Sequence, residues 1–201
     1  MSATGSDYRE FCGIVLAGGK SSRMGTDKSE LALHGRTFLE LQVHKLQLLG
    51  AADIIISGKG ADIPGTRSVM DQIPGLGPLG GLCSSFPSVR QRCALVISVD
   101  TPLISVSTLE SLLEAHFRGN YDATLLAREG RIEPLIAVYN TNTAGLLKEL
   151  ADNKKVAMRA YIDRLHCQLL PFTGSPEELL NCNSPEDFSM LLSLKDNNNG
   201  M

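Results

Sequence analysis

The clearest pattern along the chain is a set of unbroken apolar runs. FCGIVLA, ADIIISG and CALVISVDTP each predict a buried strand, because short continuous runs that end at turn-forming residues are typical of strands covered on both faces. The first run ends at Gly18 and Gly19, and the third spans Ala94 to Val99 and closes on Asp100. TRSVMDQ and HCQLLPF predict two further strands, of which the former has the weaker pattern.

Helical periodicity and helix-end signals separate these runs. RTFLELQVHKLQLLG has apolar residues at a roughly helical spacing and stops at Gly50. LGGLCSSFPS predicts a helix behind Pro78, and AGLLKELADNKKVAMRAYIDRL predicts helical segments. In SVSTLESLLEAHF we assign a capping box, with Ser107 as the N-cap and Glu110 at the third helical position. SPEELL and SPEDFSMLL each combine Ser, Pro and an acid at the spacing of a helix start.

Strands alternate with helices over most of the chain. This order predicts a mostly parallel sheet with helices on both faces. YDATLLAREGRIEPLIAVYN is the exception, because two apolar stretches flank REGR and predict an antiparallel hairpin. We therefore expect an α/β protein with a three-layer, Rossmann-like fold, a mostly parallel sheet and one inserted antiparallel hairpin. We expect a single domain over residues 11–192, with flexible tails at 1–10 and 193–201.

Charge and cysteine content narrow the functional classes. The net charge is −3, so no global basic field favours nucleic acid or an anionic membrane as a partner, and any anion site must be built locally. Five scattered cysteines without a C-x-x-C pair argue against a disulfide framework or a zinc site and predict a cytoplasmic location. No apolar run approaches the roughly 20 residues that a membrane-spanning helix needs. We interpret the four isolated histidines as surface or helix residues.

GIVLAGGKSSRMGTDK, residues 13–28, resembles a phosphate-binding loop but fails two familiar patterns. A Walker A loop needs Gly, about four residues and then Gly-Lys-Ser or Gly-Lys-Thr. Counting from Gly13 leads to Gly18 and then Gly19, so Lys20 comes one place late. The Rossmann pattern G-x-G-x-x-G fails because the next glycine after this adjacent pair is Gly25. The stretch still favours an anion site, because glycines directly after a strand let backbone N–H groups approach an anion closely.

Charged side chains beyond two strand ends suggest the chemistry. Lys20, Arg23 and Lys28 form a local cation cluster after the first strand, as a triphosphate requires in an acidic protein. Asp100 ends the strongest strand, and Mg²⁺ favours one or two carboxylates together with substrate phosphates. Ligands of open α/β sheets bind beyond the carboxyl ends of strands, where both groups lie. A cation cluster and a metal-binding carboxylate together suit nucleotidyl transfer, because the cations and the metal neutralise charge on the α-phosphorus and on the departing pyrophosphate.

Five segments carry a resemblance to a known family: LAGGKSSRMGTDK, MDQIPGLGPLGGL, VDTP, EPLIAVYN and NCNSPEDF. Over about residues 13–188 the chain resembles the molybdenum cofactor guanylyltransferases, which are MobA-like nucleotidyltransferases. The first segment alone is shared with many sugar-nucleotide and cytidylyl transferases, whereas GPLGGL and NCNSPED narrow the resemblance. It implies a nucleotidyltransferase fold and Mg²⁺-dependent transfer of GMP from GTP to the terminal phosphate of molybdenum-molybdopterin cofactor, with release of pyrophosphate.

The resemblance also implies roles on the nucleotide side. Arg23, Lys28 and Asp100 are the implied catalytic residues, with Asp100 also the metal ligand. Asp71 would lie near the nucleoside, although a loop or capping role fits it equally well. The implied nucleotide-binding residues are Leu16, Ala17, Gly18, Gly19, Arg23, Gly25, Lys28, Ser57, Asp71 and Asp100.

On the cofactor side, the resemblance implies Asn181, Asn183 and a basic residue, for which Arg159 or Lys155 is available. Either asparagine alternatively bonds loop backbone. The implied partners are GTP and molybdopterin cofactor as substrates, together with proteins that insert or accept the cofactor.

Two positions bear on the alternatives. Ser57 stands where the family often has an asparagine that contacts the nucleotide. Gly18 favours guanine, because a sister group that transfers CMP tends to carry alanine there. The alternatives are a related nucleotidyltransferase that uses CTP or a sugar-phosphate acceptor, and a non-catalytic nucleotide-binding module with the same fold.

Overall fold

The computed structural model describes residues 10–18, 28–33, 35–58, 62–73, 75–153 and 157–196. The strands are β1 (Phe11–Leu16), β2 (Ala32–Leu33), β3 (Arg36–Thr37), β4 (Asp53–Ser57), β5 (Arg67–Val69), β6 (Cys93–Ser98), β7 (Ala123–Arg128), β8 (Arg131–Asn140) and β9 (Cys167–Pro171). The α-helices are α1 (Phe38–Leu48), α2 (Gly77–Ser85), α3 (Val106–Arg118), α4 (Ala144–Asp152), α5 (Met158–Ile162) and α6 (Pro185–Asp196).

β1 lies inside a seven-stranded sheet with the order β5-β4-β1-β6-β8-β7-β9. It pairs in parallel with β4 on one side and with β6 on the other. After β1 the chain builds outward through β4 and β5, and it then returns to add β6 on the opposite side. This reversal is a topological switch point, where open α/β sheets bind ligands in the crevice at the carboxyl ends of the strands.

Within the described residues, β8 alone of the seven strands runs antiparallel to its neighbours, β6 and β7. β7 and β8 form the predicted hairpin, and its turn places Glu129 at φ +52° and Gly130 at φ +77°. Positive φ at both central residues is typical of a type I′ turn, whose twist matches that of the paired strands. The prediction of a mostly parallel sheet with one inserted antiparallel hairpin is confirmed.

Helices cover both faces of the sheet, because alternate residues of the central strands are apolar on each side. On one face, Phe11 and Val15 of β1 pack with side chains of α1, α3 and α6. On the other face, Cys12, Ile14 and Leu16 pack with side chains of α2, α4 and α5. The predicted three-layer arrangement is confirmed.

The prediction of Ser107 as the N-cap of α3 is wrong. Ser105 is the N-cap, and its Oγ accepts a hydrogen bond of 3.1 Å from the N–H of Thr108. The carboxylate of Glu178 completes this cap, since it accepts 3.0 Å from the N–H of Ser105 and 2.7 Å from the hydroxyl of Thr108. In a capping box the acid lies three residues after the cap. Here a distant segment supplies the acid, and local spacing does not reveal it.

The two Ser-Pro segments near the end of the chain behave differently. SPEELL forms a short 3₁₀-helix, Pro176–Leu179. SPEDFSMLL starts α6 as predicted, with the hydroxyl of Ser184 accepting from the N–H of Asp187 at 3.2 Å. α6 continues to Asp196, beyond the predicted domain boundary at residue 192. None of the helices in the described residues has the length and apolar character to cross a membrane.

Candidate active site

Backbone hydrogen bonds join the ends of β1, β4 and β6 at the carboxyl edge of the sheet. The N–H of Ala17 donates to the carbonyl of Ser57 at 3.0 Å, and the N–H of Val99 donates to the carbonyl of Leu16 at 3.1 Å. Two backbone groups of the predicted nucleotide-binding stretch therefore serve the sheet itself. The nucleotide-binding roles of Leu16, Ala17 and Gly18 stay predictions.

Gly18 and Gly58 bring two chain segments into close backbone contact beyond β1 and β4. Gly58 has φ +115°, and a Cβ there would lie 2.8 Å from the nitrogen of Gly18 and 2.9 Å from its Cα. Position 58 therefore requires glycine for both conformational and steric reasons. A Cβ on Gly18 would lie 3.7 Å from the carbonyl oxygen of Ser57, which is an ordinary contact. The described residues leave room for a small side chain at position 18.

Lys28, Asp100 and Asn183 meet at this edge from three distant parts of the chain. The Nζ of Lys28 lies 3.3 Å from Oδ2 of Asp100 and 2.5 Å from Oδ1 of Asn183. The side chains of Lys28 and Asp100 are 17% and 22% exposed, so the ion pair is shielded from water but still reachable by a ligand. Partial burial strengthens the attraction between the ammonium group of Lys28 and a bound anion. The structure thus joins two predicted catalytic residues to one predicted for the cofactor side.

Asp100 is also anchored through its own backbone and its second carboxylate oxygen. Its Oδ1 accepts a hydrogen bond of 2.5 Å from the hydroxyl of Ser98, and its carbonyl accepts 2.8 Å from the N–H of Cys182. Cys182 is fully buried, and desolvation raises the pKa of its thiol to about 11, so it is a neutral packing residue. The backbone bond ties the segment before α6 to the end of β6, which brings Asn183 to Lys28.

The start of α6 sets the position of Asn183. The backbone N–H groups of Asn183 and Ser184 donate to Oδ2 of Asp187 at 2.8 and 2.9 Å. These bonds, first of all the one from Asn183, hold the pKa of Asp187 below its ordinary value. The carboxylate is favoured further by its place in the first turn of the helix. The amide of Asn183 is therefore presented by a capped helix start.

Asp71 and Ser57 contact α2. Oδ1 of Asp71 accepts 2.9 Å from the N–H of Ile73 and 3.4 Å from the hydroxyl of Ser84 on α2. Ser57 is only 2% exposed, and a Cβ on Gly81 of α2 would lie 2.8 Å from its Oγ. Both side chains thus take part in seating α2 against the end of β4. Their nucleotide-binding roles stay predictions.

The remaining predicted site residues fall into two groups. The following lie outside the described residues: Gly19, Lys20, Arg23, Gly25 and Lys155. Asn181 is exposed on the segment that leads to Asn183. Arg159 on α5 pairs with Asp163 at 2.7 Å, and its side chain is 73% exposed. The cofactor-side roles of Asn181 and Arg159 stay predictions.

Sequence reasoning missed Gln42, a fully buried amide on α1. Its Nε2 donates to the carbonyls of Ser98 at 2.7 Å and of Thr101 at 2.9 Å, on either side of Asp100. The available signal was a polar residue next to the buried apolar residue Val43. Polar residues between apolar ones are normal along an amphipathic helix, so this signal did not distinguish Gln42 from a solvent-facing residue.

Asp100 and Asn183 offer oxygen atoms of the kind that Mg²⁺ binds. Across the described ranges, no group of three or more His, Cys, Asp or Glu residues is placed to hold a metal ion. At phosphate-binding sites Mg²⁺ commonly takes one or two carboxylates, with substrate phosphates and water in the other positions. One carboxylate beside an amide oxygen and a lysine fits an ion that arrives with a nucleotide.

Two comparisons with known sequences agree on the family. Residues 13–168 match the model of the MobA-like NTP transferase domain. The chain is 35% identical over 188 residues to the molybdenum cofactor guanylyltransferase of Xanthomonas euvesicatoria pv. vesicatoria (strain 85-10). That alignment covers 92% of this chain and 95% of the relative.

Solved structures share the fold. Molybdopterin-guanine dinucleotide biosynthesis protein A from Archaeoglobus fulgidus superposes with a TM-score of 0.79 at 20% identity, over 93% of this chain and 100% of that one. The 2-C-methyl-D-erythritol 4-phosphate cytidylyltransferase from Thermus thermophilus gives 0.68 at 18% identity, over 93% and 99%. With the sequence matches and the polar cluster at the switch point, the conclusion is direct: the chain belongs to the MobA-like NTP transferase family.

Proposed function

We propose that this protein transfers GMP from GTP to the terminal phosphate of molybdenum-molybdopterin cofactor, giving molybdopterin guanine dinucleotide and pyrophosphate. The observation that carries the proposal is the cluster of Lys28, Asp100 and Asn183 at the switch point of the sheet. It combines a cation, a carboxylate and an amide oxygen, which are the groups that a triphosphate and its counter-ion need. The curated relative at 35% identity, named a molybdenum cofactor guanylyltransferase, supports the choice of substrates.

The reaction is an in-line displacement at the α-phosphorus of GTP. An oxygen of the acceptor phosphate forms the new P–O bond, and the bond to the bridging α–β oxygen breaks with its electron pair leaving on pyrophosphate. The attacking phosphate is already anionic, so the enzyme needs no covalent intermediate. Its task is to hold two polyanions together and to stabilise the charge of the transition state.

Lys28 is placed to stabilise this charge. Its ammonium group lies between Asp100 and Asn183 and is largely shielded from water, where a point charge acts more strongly on phosphate oxygens than it does in bulk solvent. Arg23, which lies outside the described residues, is proposed as the second phosphate ligand because a guanidinium group can bind two oxygens at once.

Asp100 is the residue that would hold Mg²⁺. When bound, the ion neutralises charge on the triphosphate and helps to orient it. The hydrogen bond from Ser98 and the backbone bond from Cys182 fix Asp100 before any ligand arrives. A preorganised carboxylate avoids the reorganisation cost that a mobile one would incur.

A pyrophosphate-release assay tests the proposal. Purified protein is incubated with Mg²⁺ and each of GTP, CTP, ATP and UTP, with and without molybdopterin cofactor. We expect release with GTP and only in the presence of the cofactor. Release from CTP in place of GTP, or release only with a sugar-phosphate acceptor, would overturn the proposed substrates. GTP binding without release from any nucleotide would identify a non-catalytic nucleotide-binding module.

Gly18→Ala tests the choice of base at the same edge. Within the described ranges, the atom nearest to the added methyl group is the carbonyl oxygen of Ser57, at 3.7 Å. We therefore expect stability within about 0.5 kcal/mol of wild type. If the nucleotide base lies against this position, the preference for GTP over CTP falls by about tenfold, because the methyl group then meets the base. An unchanged preference would remove Gly18 from the base-selecting residues.

A further inference from the structure

The amide of Gln42 spans the turn that carries Asp100. Gln42 has no exposed surface, yet its Nε2 donates both of its hydrogens to this turn, at 2.7 Å to the Ser98 carbonyl and 2.9 Å to the Thr101 carbonyl. The two acceptors lie on either side of Asp100. One side chain therefore fixes the peptide groups before and after the segment that presents the carboxylate.

Lys45 extends this contact by one helical turn. Its Nζ donates 3.0 Å to Oε1 of Gln42 and 2.6 Å to the carbonyl of Pro102. Every polar atom of the Gln42 amide thus has a partner, as a buried amide requires. Burial lowers the pKa of Lys45 to about 7, although the negative charge of Glu178 acts to raise it. A neutral amine still has two N–H groups, so both bonds survive loss of the proton.

The backbone of the turn is constrained from two further directions. The Asp100 carbonyl accepts from the N–H of Cys182, and the hydroxyl of Thr101 donates to the Ser98 carbonyl at 3.2 Å. The carbonyls of Ser98, Asp100, Thr101 and Pro102 are therefore all engaged. The Gln42 and Lys45 side chains bind three of these four carbonyls. Both side chains belong to α1, where Gln42 is buried and Lys45 is partly buried.

We propose that Gln42 and Lys45 are positioning residues, which hold residues 98–102 in the one conformation that points the Asp100 carboxylate at Lys28 and the bound nucleotide. The predicted effect on kcat rests on the proposed function, whereas the predicted restraint of residues 98–102 does not depend on it. Neither residue touches a substrate. They act through the backbone on either side of Asp100, and a small displacement of a catalytic group is enough to slow a reaction that depends on positioning.

The test replaces each side chain with an apolar one of similar length. Gln42→Met and Lys45→Met remove the donors, and Lys45→Arg keeps N–H donors for the Pro102 carbonyl. The matched control is Tyr161→Phe, which breaks a buried hydroxyl pair with Thr143 at 2.6 Å on the other face of the sheet. Each protein is measured for kcat and KM with GTP, for global stability, and for amide hydrogen exchange in residues 98–104.

We expect Gln42→Met to lower kcat by about 10- to 100-fold, with KM for GTP within about threefold of wild type. Exchange over residues 98–104 should be faster in Gln42→Met and Lys45→Met. Lys45→Arg should restore most of the kcat that Lys45→Met loses. Tyr161→Phe should lose stability while its kcat and its exchange over residues 98–104 stay near wild type.

The proposal is overturned if Gln42→Met keeps the wild-type kcat, or loses no more kcat than Tyr161→Phe at a similar loss of stability. Unchanged exchange over residues 98–104 in Gln42→Met also overturns it. If the wild-type protein transfers no GMP, the proposed function fails by itself. Exchange over residues 98–104, measured without substrate, then still decides whether Gln42 and Lys45 hold the turn.

Discussion

Two clusters of polar side chains lie at opposite ends of the sheet, and each joins three segments of the chain. At the carboxyl end, Lys28 bridges Asp100 and Asn183. At the other end, His116 of α3 bridges Thr124 at the start of β7 and Asn140 at the end of β8, with both distances 3.1 Å. Similar geometry has different consequences at the two ends.

The His116 cluster is uncharged and internally satisfied. His116 is 6% exposed, and the amide nitrogen of Asn140 donates 2.7 Å to the carbonyl of Tyr121. That bond turns Oδ1 of Asn140 toward His116, so Nε2 of the ring carries the hydrogen and Nδ1 accepts from Thr124. Both ring nitrogens are occupied, and burial lowers the pKa of His116, which keeps it neutral.

The Lys28 cluster is charged and partly open, with Lys28 17% and Asp100 22% exposed. Its ammonium and carboxylate groups are charged, and charged groups in a partly shielded site interact strongly with a charged ligand. The difference teaches that net charge, more than the presence of polar residues, separates a cluster that stabilises the fold from one that binds a charged ligand. Substitutions at the carboxyl end should therefore cost activity, and those at the opposite end should cost stability.

A large loss of activity is expected for Lys28→Met. Loss of the shielded ammonium removes charge stabilisation from the transition state and should lower the rate of GMP transfer by about 100- to 1000-fold. Stability should fall by about 1 to 2 kcal/mol, because Asp100 loses its cation partner but keeps its hydrogen bond from Ser98. Steady-state kinetics and thermal unfolding check the two statements. A stable variant with near-normal transfer would place the chemistry elsewhere.

Gly58→Ala tests whether the close contact between Gly58 and Gly18, at the carboxyl end of the sheet, also stabilises the fold. The methyl group would lie 2.8 Å from the backbone nitrogen of Gly18, at a φ of +115°. We expect a loss of about 3 kcal/mol in the free energy of unfolding, from overpacking and backbone strain together. Denaturant unfolding measures it, with Gly18→Ala as the neighbouring control. Equal stability of the two variants would contradict the close contact between these segments.

His116→Leu is the corresponding change at the opposite end. It leaves Oδ1 of Asn140 without its ring donor in a partly buried site, so we expect a loss of about 1 kcal/mol in stability. The rate of GMP transfer per folded molecule should remain within about twofold of wild type, because no group at the carboxyl edge is altered. Loss of turnover in a folded His116→Leu protein would break the proposed division between the two ends.

The smallest effect is a pH dependence of stability that belongs to His116. Its pKa in the folded protein is lowered from the ordinary value of 6.5, so the unfolded chain takes up the proton first as the pH falls. The free energy of unfolding of the wild type, relative to His116→Leu, should therefore decrease below pH 6.5 and level off once the folded-state pKa is passed. Chemical denaturation at a series of pH values measures this difference. A difference that stays constant from neutral to acidic pH would mean that His116 is not held neutral.

The sequence predicts the sheet well because its signals are local. β1 and β6 are continuous apolar runs, and the hairpin of β7 and β8 is marked by the polar turn REGR between apolar stretches. The cap of α3 was predicted wrongly because its carboxylate, from Glu178, lies 73 residues after Ser105. His116 was predicted only as a surface or helix residue, and its burial depends on partners in β7 and β8.

The candidate site was partly predictable, because part of it follows from the order of the strands. Lys28 and Asp100 follow strands whose carboxyl ends meet at one edge, so their proximity follows from the fold. The bond from Lys28 to Asn183 spans 155 residues, and Asn183 was assigned to the cofactor side from the family resemblance. Gln42 was not predicted, because its role depends on which carbonyls the turn at Asp100 turns inward. Such contacts arise from tertiary packing and leave no spacing pattern.

The most direct test of the central claim is single-turnover GMP transfer by Asp100→Ala, with GTP, Mg²⁺ and molybdopterin cofactor, beside His116→Leu as the control for stability. If the carboxyl end of the sheet is the active site, Asp100→Ala remains folded and its transfer rate falls by about 1000-fold or more, while His116→Leu transfers normally. Near-normal transfer by a folded Asp100→Ala protein would contradict the assignment of catalysis to this edge.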